Sequence, residues 1–412
     1  MKEFPPLPFA RPFIGKEEED AVLHVLRSGW LTTGKEAAAF EKEFAYFLAN
    51  GSLPQTEDEC AEKPAPLTAL AVNSATSGLH LALEALGVGE GDVVLVPSLT
   101  FASTAEVARY LGAEAAFVDV APHTFHISPE AARQTAANLR AGKPAYGSFG
   151  PKGKPKAIIP VHYGGVPCNM DSILALAREY GMGVVEDSAH CFPSFTEDGR
   201  AYGALGDVGV FSFYATKTIT TGEGGMVVSG NPALCARMAT MRLHGIDRPA
   251  WSRYTDVKSS WYYEIADAGY KYNLPDILAA LGRVQLSRAI SLLNMRRHIA
   301  AMYDKAFSAH PALEIPSSCP ADARHLYPLR VRDKNMRTPL VDALKEAGIG
   351  VSVHFIPLHT MPYYKKRYAL ADEVFPCTMD AFSREVSLPI WAGMTGGDVE
   401  RVIEAVCGFF LK

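Results

Sequence analysis

Seven short apolar runs, most of them separated by helical patterns, constrain the fold of this chain more than any other feature. The runs lie at residues 69–72, 93–97, 115–118, 157–161, 183–186, 208–213 and 225–229. The earlier runs are separated by helical periodicity at 77–86, 103–111 and 172–180. Alternation of strands and helices requires crossover connections, which produce a parallel sheet with helices on both faces. The sequence therefore predicts an α/β fold with a mostly parallel, seven-stranded sheet.

Helical patterns also flank this alternating region. A helix is predicted over 15–28, and Phe40, Phe44 and Phe47 indicate the inner face of a second helix. After about residue 275 the pattern becomes mixed, with helices at 277–294, 296–308 and 398–411 and strand candidates at 326–331 and 350–354. We therefore expect a large domain over 12–275 and a smaller α+β C-terminal domain over 276–412.

Charge and cysteine usage exclude several protein classes. The 412 residues contain 40 Lys and Arg against 45 Asp and Glu, a formal net charge of −5, which excludes a strongly basic nucleic-acid-binding protein. No run approaches the roughly 20 apolar residues of a membrane helix, and the first residues lack a signal-peptide core. Seven scattered cysteines without a Cys-x-x-Cys pair indicate reduced thiols and no metal site. We expect a cytoplasmic protein, with surface insertions at 52–68 and 141–156.

The most informative motif surrounds Lys217. In the segment FSFYATKTITTGEGG, residues 211–225, one lysine follows an apolar strand and precedes a glycine-rich loop. A partly desolvated lysine at the end of a buried strand has a lowered pKa and can act as an amine nucleophile. An ordinary surface lysine in a loop is the alternative interpretation.

Asp187 ends another apolar strand, 30 residues before Lys217 in the sequence. Enzymes that use pyridoxal phosphate need an acid at such a place, because its pairing with the pyridine nitrogen keeps the ring protonated. The alternative is that Asp187 is the N-cap of a helix, a common role for aspartate.

A candidate phosphate site follows the first strand, where the segment NSATSG at 73–78 begins a helix. Free amides at a helix start attract phosphate, and Ser212 could add a hydroxyl. Simple helix capping is the alternative. Phe101 follows another strand and could stack on a flat cofactor, although an isolated aromatic residue more often packs in a core.

The sequence resembles the DegT/StrS family of sugar aminotransferases, which are fold-type-I pyridoxal phosphate enzymes. The matching blocks cover nearly the whole chain and lie at 11–15, 28–34, 96–101, 159–162, 186–190 and 221–225. The resemblance implies that Lys217 binds the cofactor covalently and that Asp187 holds its pyridine nitrogen. It also implies that Phe101 stacks on the ring and that His190 lies near the 3-hydroxyl. The implied phosphate-binding residues are Ala75, Thr76 and Ser212.

Two further blocks, 269–277 and 348–359, are similar to the branch of this family that makes UDP-4-amino-4-deoxy-L-arabinose. In the family the first block reaches the cofactor phosphate of the neighbouring subunit. The resemblance therefore implies a homodimer with shared sites, in which Lys271 and Asn273 act across the interface. Many relatives instead carry Asn-aromatic-Arg at this position. The insertions at 52–68 and 141–156 also depart from the compact family pattern, so the exact sugar is left open, though not the chemistry.

The resemblance implies transfer of an amino group from glutamate to a keto sugar nucleotide. The expected acceptor is a 4-keto sugar linked to UDP or dTDP. Such a reaction would serve the modification of a surface polysaccharide or lipid. Lys217 would first anchor the cofactor and then act as base and acid. One alternative is a sugar dehydratase of the same fold, whose relatives carry His in place of this lysine. The other is a regulatory protein that binds the cofactor without catalysis.

Substrate contacts are less constrained by the sequence. Trp30 and Thr32 would lie near the site by resemblance, although simple packing is equally compatible with their positions. Arg242 and Arg248 could donate hydrogen bonds to a diphosphate. The histidines that could approach a substrate are His162, His244, His325, His354 and His359. A structural role is the more common one for a histidine; His325 and His354 are our substrate candidates.

Overall fold

A computed structural model of the protein describes residues 5–56, 65–246 and 262–411. The strands are β1 (Thr68–Val72), β2 (Asp92–Pro97), β3 (Glu114–Val118), β4 (Lys154–Ile158), β5 (Gly183–Asp187), β6 (Val208–Ser212), β7 (Gly225–Ser229), β8 (Leu313–Glu314), β9 (Tyr327–Val331) and β10 (Glu385–Leu388). The helices are α1 (Lys16–Ser28), α2 (Lys35–Asn50), α3 (Ala75–Ala85), α4 (Ala102–Tyr110), α5 (Pro129–Arg140), α6 (Met170–Tyr180), α7 (Pro232–Met241), α8 (Asp276–Ser287), α9 (Ala289–Phe307), α10 (Arg337–Glu346), α11 (Pro362–Tyr368), α12 (Pro376–Arg384) and α13 (Gly396–Phe409).

Seven strands form the large sheet in the order β1-β7-β6-β5-β4-β2-β3. Strand β7 runs antiparallel to both of its neighbours, while the other pairs are parallel. The mostly parallel, seven-stranded α/β sheet predicted from the sequence is therefore confirmed. Its strands are apolar along their length because helices cover both faces: Val94 packs in the core cluster on one face, and Val93 packs in the cluster on the other.

A second, three-stranded antiparallel sheet has the order β10-β9-β8. Helices α9, α10 and α13 contribute to the core on this sheet, and Leu7 from the N-terminal segment joins that core. The Leu7 amide donates to the carbonyl of Gly348 at 2.9 Å, and the amide of Gly350 donates back to Leu7 at 2.8 Å. The division into domains at 12–275 and 276–412 stays a prediction.

Helix α2 is fixed to the start of α8 by one buried carboxylate. Asp276 accepts hydrogen bonds from the amides of Gly34 at 2.7 Å and Ala37 at 3.0 Å. These amides belong to the first turn of α2, where no intrahelical acceptor exists. Asp276 therefore caps a helix that lies about 240 residues earlier in the chain.

Several element predictions need correction. Residues 350–354 form no strand, and only Ser352 makes an isolated bridge, to Ser387 of β10. The long helices divide at Arg288 rather than near residue 295. The insertion predicted over 141–156 includes the start of β4, and residues 57–64 of the other insertion lie outside the described part. Five helices and two strands lacked a distinct pattern: α5, α7, α10, α11, α12, β8 and β10.

Two further findings concern the described part of the chain. None of its helices has the length and apolar character needed to cross a lipid bilayer. Its six cysteines are all free thiols, while Cys60 lies outside it.

Candidate active site

The candidate site lies at the edge of the large sheet where the carboxyl ends of parallel strands meet. Gly225, at the start of antiparallel β7, pairs with Val72 at the end of β1 and with Ser212 at the end of β6. Asp187 ends β5 and pairs with Val210 of β6. Sheet register therefore brings the start of α3, Ser212 and Asp187 to one edge of the sheet.

Lys217 lies in the turn that follows β6. Its backbone amide donates to the Tyr214 carbonyl at 2.9 Å, and its half-buried side-chain amine has no hydrogen-bond acceptor in the part of the chain described. Burial lowers the pKa of Lys217 to about 8; Asp187 opposes this shift and the Arg296 guanidinium adds to it. An amine with this pKa is partly neutral near pH 7, so it is a better nucleophile than an exposed lysine.

Asp187 is buried and held by two donors. The Thr104 hydroxyl donates to Oδ2 at 2.9 Å, and the Ala189 amide donates to Oδ1 at 3.2 Å. Burial raises the pKa of Asp187, whereas Thr104, Ala189 and the charge of Lys217 oppose that rise. No helix lies between Asp187 and the start of β6, all of which the structure describes, so the helix-cap alternative is wrong.

The adjacent Glu186 has a structural role, whereas Asp187 faces the candidate site. Its carboxylate accepts the amides of Leu205 and Gly206, both at 2.6 Å, and lies 3.1 Å from Nε2 of buried His162. Successive side chains of a strand point to opposite faces. Glu186 therefore supports the sheet, and His162 has the structural role that is usual for a buried histidine.

The start of α3 offers unpaired amides. Ser74 is the N-cap, and its hydroxyl accepts the Ser77 amide at 3.1 Å. The amides of Ala75 and Thr76 have no acceptor among the described residues. A Cβ added to Gly225 would lie 2.8 Å from the Ala75 nitrogen, so the glycine keeps this place open. Capping by Ser74 thus leaves the next two amides available for a phosphate group.

Aromatic rings line the edge of the site. Phe101, the residue before α4, is 59% exposed, which is unusual for a phenylalanine, so the core-packing alternative is wrong. Its ring lies 6.0 Å from that of Phe355, which stacks on His190 at 6.0 Å. His190 also lies 4.3 Å from the ring of His325. Burial lowers the pKa of both histidines, and the nearby charge of Lys217 lowers it further.

His354 completes this group. Its Nδ1 lies 2.9 Å from the Ser387 hydroxyl, and its ring stacks on Phe9 at 5.4 Å. Burial lowers the pKa of His354 to about 4, with a further contribution from Lys217. The structure therefore places three neutral histidines, His190, His325 and His354, around the lysine.

Together these groups fit pyridoxal phosphate. A buried carboxylate and an exposed aromatic ring lie along one sheet edge, together with a half-buried amine and two helix amides that have no hydrogen-bond partner among the described residues. The glycine that faces the helix start leaves room for a phosphate group. In the described residues, no cluster of three or more His, Cys, Asp or Glu side chains could hold a metal ion.

Comparison with known proteins agrees with this geometry. Residues 12–407 match the DegT/DnrJ/EryC1/StrS aminotransferase family. The chain belongs to this family. The aminotransferase thus has the fold, and uses the pyridoxal phosphate cofactor, that the sequence predicted.

Three proteins illustrate the similarity. The aminotransferase is 41% identical over 406 residues to the spore coat polysaccharide biosynthesis protein SpsC of Bacillus subtilis (strain 168), covering 97% of this chain and 96% of SpsC. Spr1654 of Streptococcus pneumoniae, solved in PMP and PLP forms, is 29% identical in the PMP form, with a TM-score of 0.83 and 98% of each chain covered. PseC of Helicobacter pylori, an aminotransferase involved in pseudoaminic acid biosynthesis, is 26% identical, with a TM-score of 0.83, covering 98% of this chain and 99% of PseC.

A second group of predicted residues surrounds the end of β1. Asn273 forms an isolated bridge with Val72, and its side-chain amide donates to the Thr33 hydroxyl at 2.6 Å. Lys271 donates to the Asn273 side chain. The group thus lies next to the α3 N-terminus of its own chain, and its predicted action on a partner's phosphate stays a prediction.

Trp30 and Thr32 belong to the loop that packs on this second group. The Trp30 indole donates to the Thr33 carbonyl at 3.4 Å, and the Asp276 amide donates to the Thr32 carbonyl at 3.3 Å. Arg242 pairs with Glu41 and also donates to the carbonyl of β1 residue 71, so the prediction that it binds a diphosphate is not supported. Arg248 lies outside the described residues.

Two residues of the site lacked a recognisable sequence pattern. Thr104 contacts Asp187 from the first turn of α4. The sequence feature that could have identified Thr104 is its position three residues after Phe101, a predicted site residue. Arg296, only 3% exposed, donates to the carbonyls of Ile390 at 2.7 Å and Thr216 at 3.4 Å. Arg296 therefore connects the residue before Lys217 with the segment after β10. No local sequence pattern distinguishes a buried arginine from an exposed one inside a helix.

Proposed function

We propose that the aminotransferase transfers the amino group of glutamate to a keto sugar nucleotide, a UDP- or dTDP-4-keto sugar, in the biosynthesis of a surface polysaccharide or lipid. The observation that carries the proposal is the Lys217 amine near Asp187 and the first amides of α3, none of which has a hydrogen-bond acceptor in the described part of the chain. The names of SpsC and PseC support a carbohydrate product. The free cysteines support a cytoplasmic location.

Each described residue has a distinct part in this chemistry. Pyridoxal phosphate, when bound, supplies the electron sink that makes the α-proton of an amino acid removable. Asp187 would hold the pyridine nitrogen, with Thr104 and Ala189 fixing the carboxylate. Ala75, Thr76 and Ser212 would hold the phosphate. The Lys217 amine, once free, would take the proton from the α-carbon of glutamate.

Lys217 also favours amination over dehydration. A positioned amine can move a proton from one atom to another without leaving the site, which transamination requires. By the family resemblance, relatives that dehydrate sugars carry His at this position. The aminotransferase retains the lysine, with a pKa of about 8 that suits exchange of a proton near neutral pH.

We further propose that two chains form a homodimer in which Lys271 and Asn273 contact the phosphate in the neighbouring site. Both residues lie beside the start of α3, and Lys271 is exposed at the surface of the chain. An exposed cation can bind a phosphate group, and the family resemblance assigns that phosphate to the site of the neighbouring subunit.

The assignment of Lys217 is tested by Lys217→Ala. We expect turnover with glutamate and a keto sugar nucleotide to fall by at least about 1000-fold, because one residue is both the anchor and the base. Lys345→Ala, an exposed lysine on α10, is the control and should retain full activity. Full activity in Lys217→Ala would refute the assignment.

The substrate is tested with a panel of UDP- and dTDP-linked 3-keto and 4-keto sugars. Glutamate should bleach the absorbance of the bound cofactor, and the correct sugar nucleotide should restore it. Mass spectrometry and NMR of the product identify the aminated carbon. Bleaching by glutamate without recovery on any member of the panel would contradict the proposed acceptor class.

A further inference from the structure

The group that holds His354 contains a buried acid that the chemistry above does not use. Glu385 and Ser387 occupy alternate positions of β10 and therefore point to the same face of the strand. Both are fully buried. Their side chains converge on His354, which lies near Lys217.

These three residues form a continuous hydrogen-bonded chain. The Ser387 hydroxyl contacts both Oε1 of Glu385 and, at 2.9 Å, Nδ1 of His354. Oε2 of Glu385 accepts the His354 backbone amide at 2.9 Å. The Tyr163 hydroxyl donates to the His354 carbonyl, and Phe9 stacks on the ring. The imidazole is thus held from several sides, while its Nε2 has no hydrogen-bond partner in the described residues.

We propose that Glu385 and Ser387 are positioning residues that form a proton relay to Nε2 of His354, and that this nitrogen donates a proton to the oxygen that the keto sugar loses. The inference rests on the proposed function, since the sugar is the substrate that must lose an oxygen. When Glu385 is a carboxyl group, it donates to Ser387, Ser387 donates to Nδ1, and Nε2 carries the proton. When Glu385 is a carboxylate, the hydroxyl turns towards it, Nδ1 carries the proton, and Nε2 is bare.

The relay supplies a balanced step for loss of the sugar oxygen. That oxygen leaves as water with two protons, one from the incoming amino nitrogen as the C–N bond forms and one from Nε2 as the C–O bond breaks. Nδ1 takes the Ser387 proton and Ser387 takes the Glu385 proton, so the imidazole stays neutral. The second proton of the amino nitrogen then returns to Nε2 and restores the Glu385 carboxyl.

The surroundings support this assignment. Burial raises the pKa of Glu385 to about 8, and the opposing effects come from Ser387, the His354 amide and the charge of Arg337. Tyr163 also interacts with this carboxylate. Burial and the charge of Lys217 both lower the pKa of His354, so its ring stays neutral. A carboxyl that is neutral near pH 7 next to an imidazole that stays neutral is the arrangement a relay needs.

The first test measures the protonated nitrogen of His354 in the holoenzyme by NMR of ¹⁵N-histidine, with the signal assigned by loss in His354→Asn. In the wild type, the proton should move from Nε2 to Nδ1 as pH rises through about 8. In Glu385→Gln the amide oxygen is needed to accept the His354 backbone amide, so the NH2 group faces Ser387 and donates to it. The His354 proton should then stay on Nε2 at every pH. No change in the wild type, or the same change in the variant, would overturn the relay.

The second test separates the two half-reactions. Glu385→Gln and Ser387→Ala should slow the sugar half-reaction by about 10- to 100-fold, as when a partner that orients a functional histidine is lost. Both should leave the glutamate half-reaction unchanged. Ser352→Ala is the matched control, because Ser352 pairs with Ser387 only through its backbone. It should leave both half-reactions unchanged.

Failure of the relay is distinguishable from failure of the proposed function. If the wild type reacts with a keto sugar nucleotide and the variants react equally fast, the relay is wrong and the function stands. If the wild type reacts with no keto sugar nucleotide, the proposed acceptor is wrong. The His354 tautomer measurement then still decides for or against the relay.

Discussion

At the scale of single residues, environment rather than residue type decides the chemistry. Glu186 and Asp187 are adjacent buried acids, yet Glu186 binds backbone amides and His162 while Asp187 lies within electrostatic range of Lys217. Strand alternation turns one towards the supporting structure and the other towards the site. Two adjacent acids in a sequence can therefore have different roles, and the direction of each side chain decides which acid has which role.

The electrostatic pairing of Asp187 and Lys217 gives a prediction with two readouts. Asp187→Asn should lower kcat by about 100- to 1000-fold, the usual cost of losing one charged stabilising group in a site. It should also lower the pKa of Lys217 below about 8, because the Asp187 carboxylate favours the ammonium form.

The second readout is the rate at which cofactor-free protein captures pyridoxal phosphate. Only the neutral amine reacts, so this rate should rise with pH through about 8 in the wild type and at lower pH in Asp187→Asn. Asp207→Asn is the control, because its carboxylate accepts the Val184 amide at the opposite end of the sheet. An unshifted profile in Asp187→Asn would contradict the pairing.

At the scale of elements, one antiparallel strand organises the phosphate region. Gly225 begins β7 and lies between Val72 and Ser212, so its backbone approaches the first turn of α3. The glycine is needed for space: an added Cβ would be 2.8 Å from the Ala75 nitrogen and 2.8 Å from the Phe211 carbonyl oxygen. Apolar runs predicted that β7 exists, but the antiparallel direction that places Gly225 here depends on its neighbours.

Gly225→Ala should therefore weaken cofactor binding. Crowding of this kind costs about 1–3 kcal/mol, so the Kd for pyridoxal phosphate should rise by about 5- to 140-fold. Titration followed by fluorescence measures the change, and thermal unfolding reports any loss of stability. Gly230→Ala, just beyond the other end of β7, meets its nearest atom at 3.6 Å and should bind the cofactor normally. Equal affinity in the two variants would refute this role of Gly225.

At the scale of the whole molecule, the site joins parts of the chain that are distant in sequence. Arg296 of α9 reaches the carbonyls of Thr216 and Ile390, and His354 brings the β10 residues to Lys217. The segment that contains Asn273 returns to the end of β1. The active site is therefore a product of how the two sheets and their helices pack together.

Mixed dimers test whether Asn273 serves the neighbouring site. A Lys217→Ala chain paired with an Asn273→Ala chain should show activity that neither variant shows alone, because one site then has both residues. Differently tagged chains allow purification of the mixed dimer, and turnover is the measurement. In the reciprocal control, a Lys217→Ala/Asn273→Ala chain paired with a wild-type chain should be impaired. Half of the wild-type activity in that control, the output of one intact site, would show that Asn273 serves its own chain.

The sequence by itself determined the strand-and-helix alternation, the lysine after β6, the acid at the end of β5 and the polar start of α3. These features follow from local periodicity and from the position of residues relative to strand ends, which neighbouring residues encode. The family resemblance agreed with the stacking already predicted for Phe101 and added the prediction for His190, and the structure brings both rings to the same edge as Lys217.

Only the tertiary structure decided the rest. The order of the strands, the direction of β7, and the convergence of Thr104, Arg296, Glu385 and Ser387 on the site arise from contacts between residues far apart in the chain. The strand predicted at 350–354 instead makes one bridge to β10, which leaves His354 in a loop held by Glu385 and Ser387. Burial and side-chain direction set the pKa and the partner of each group, and neither quantity is a property of a short segment.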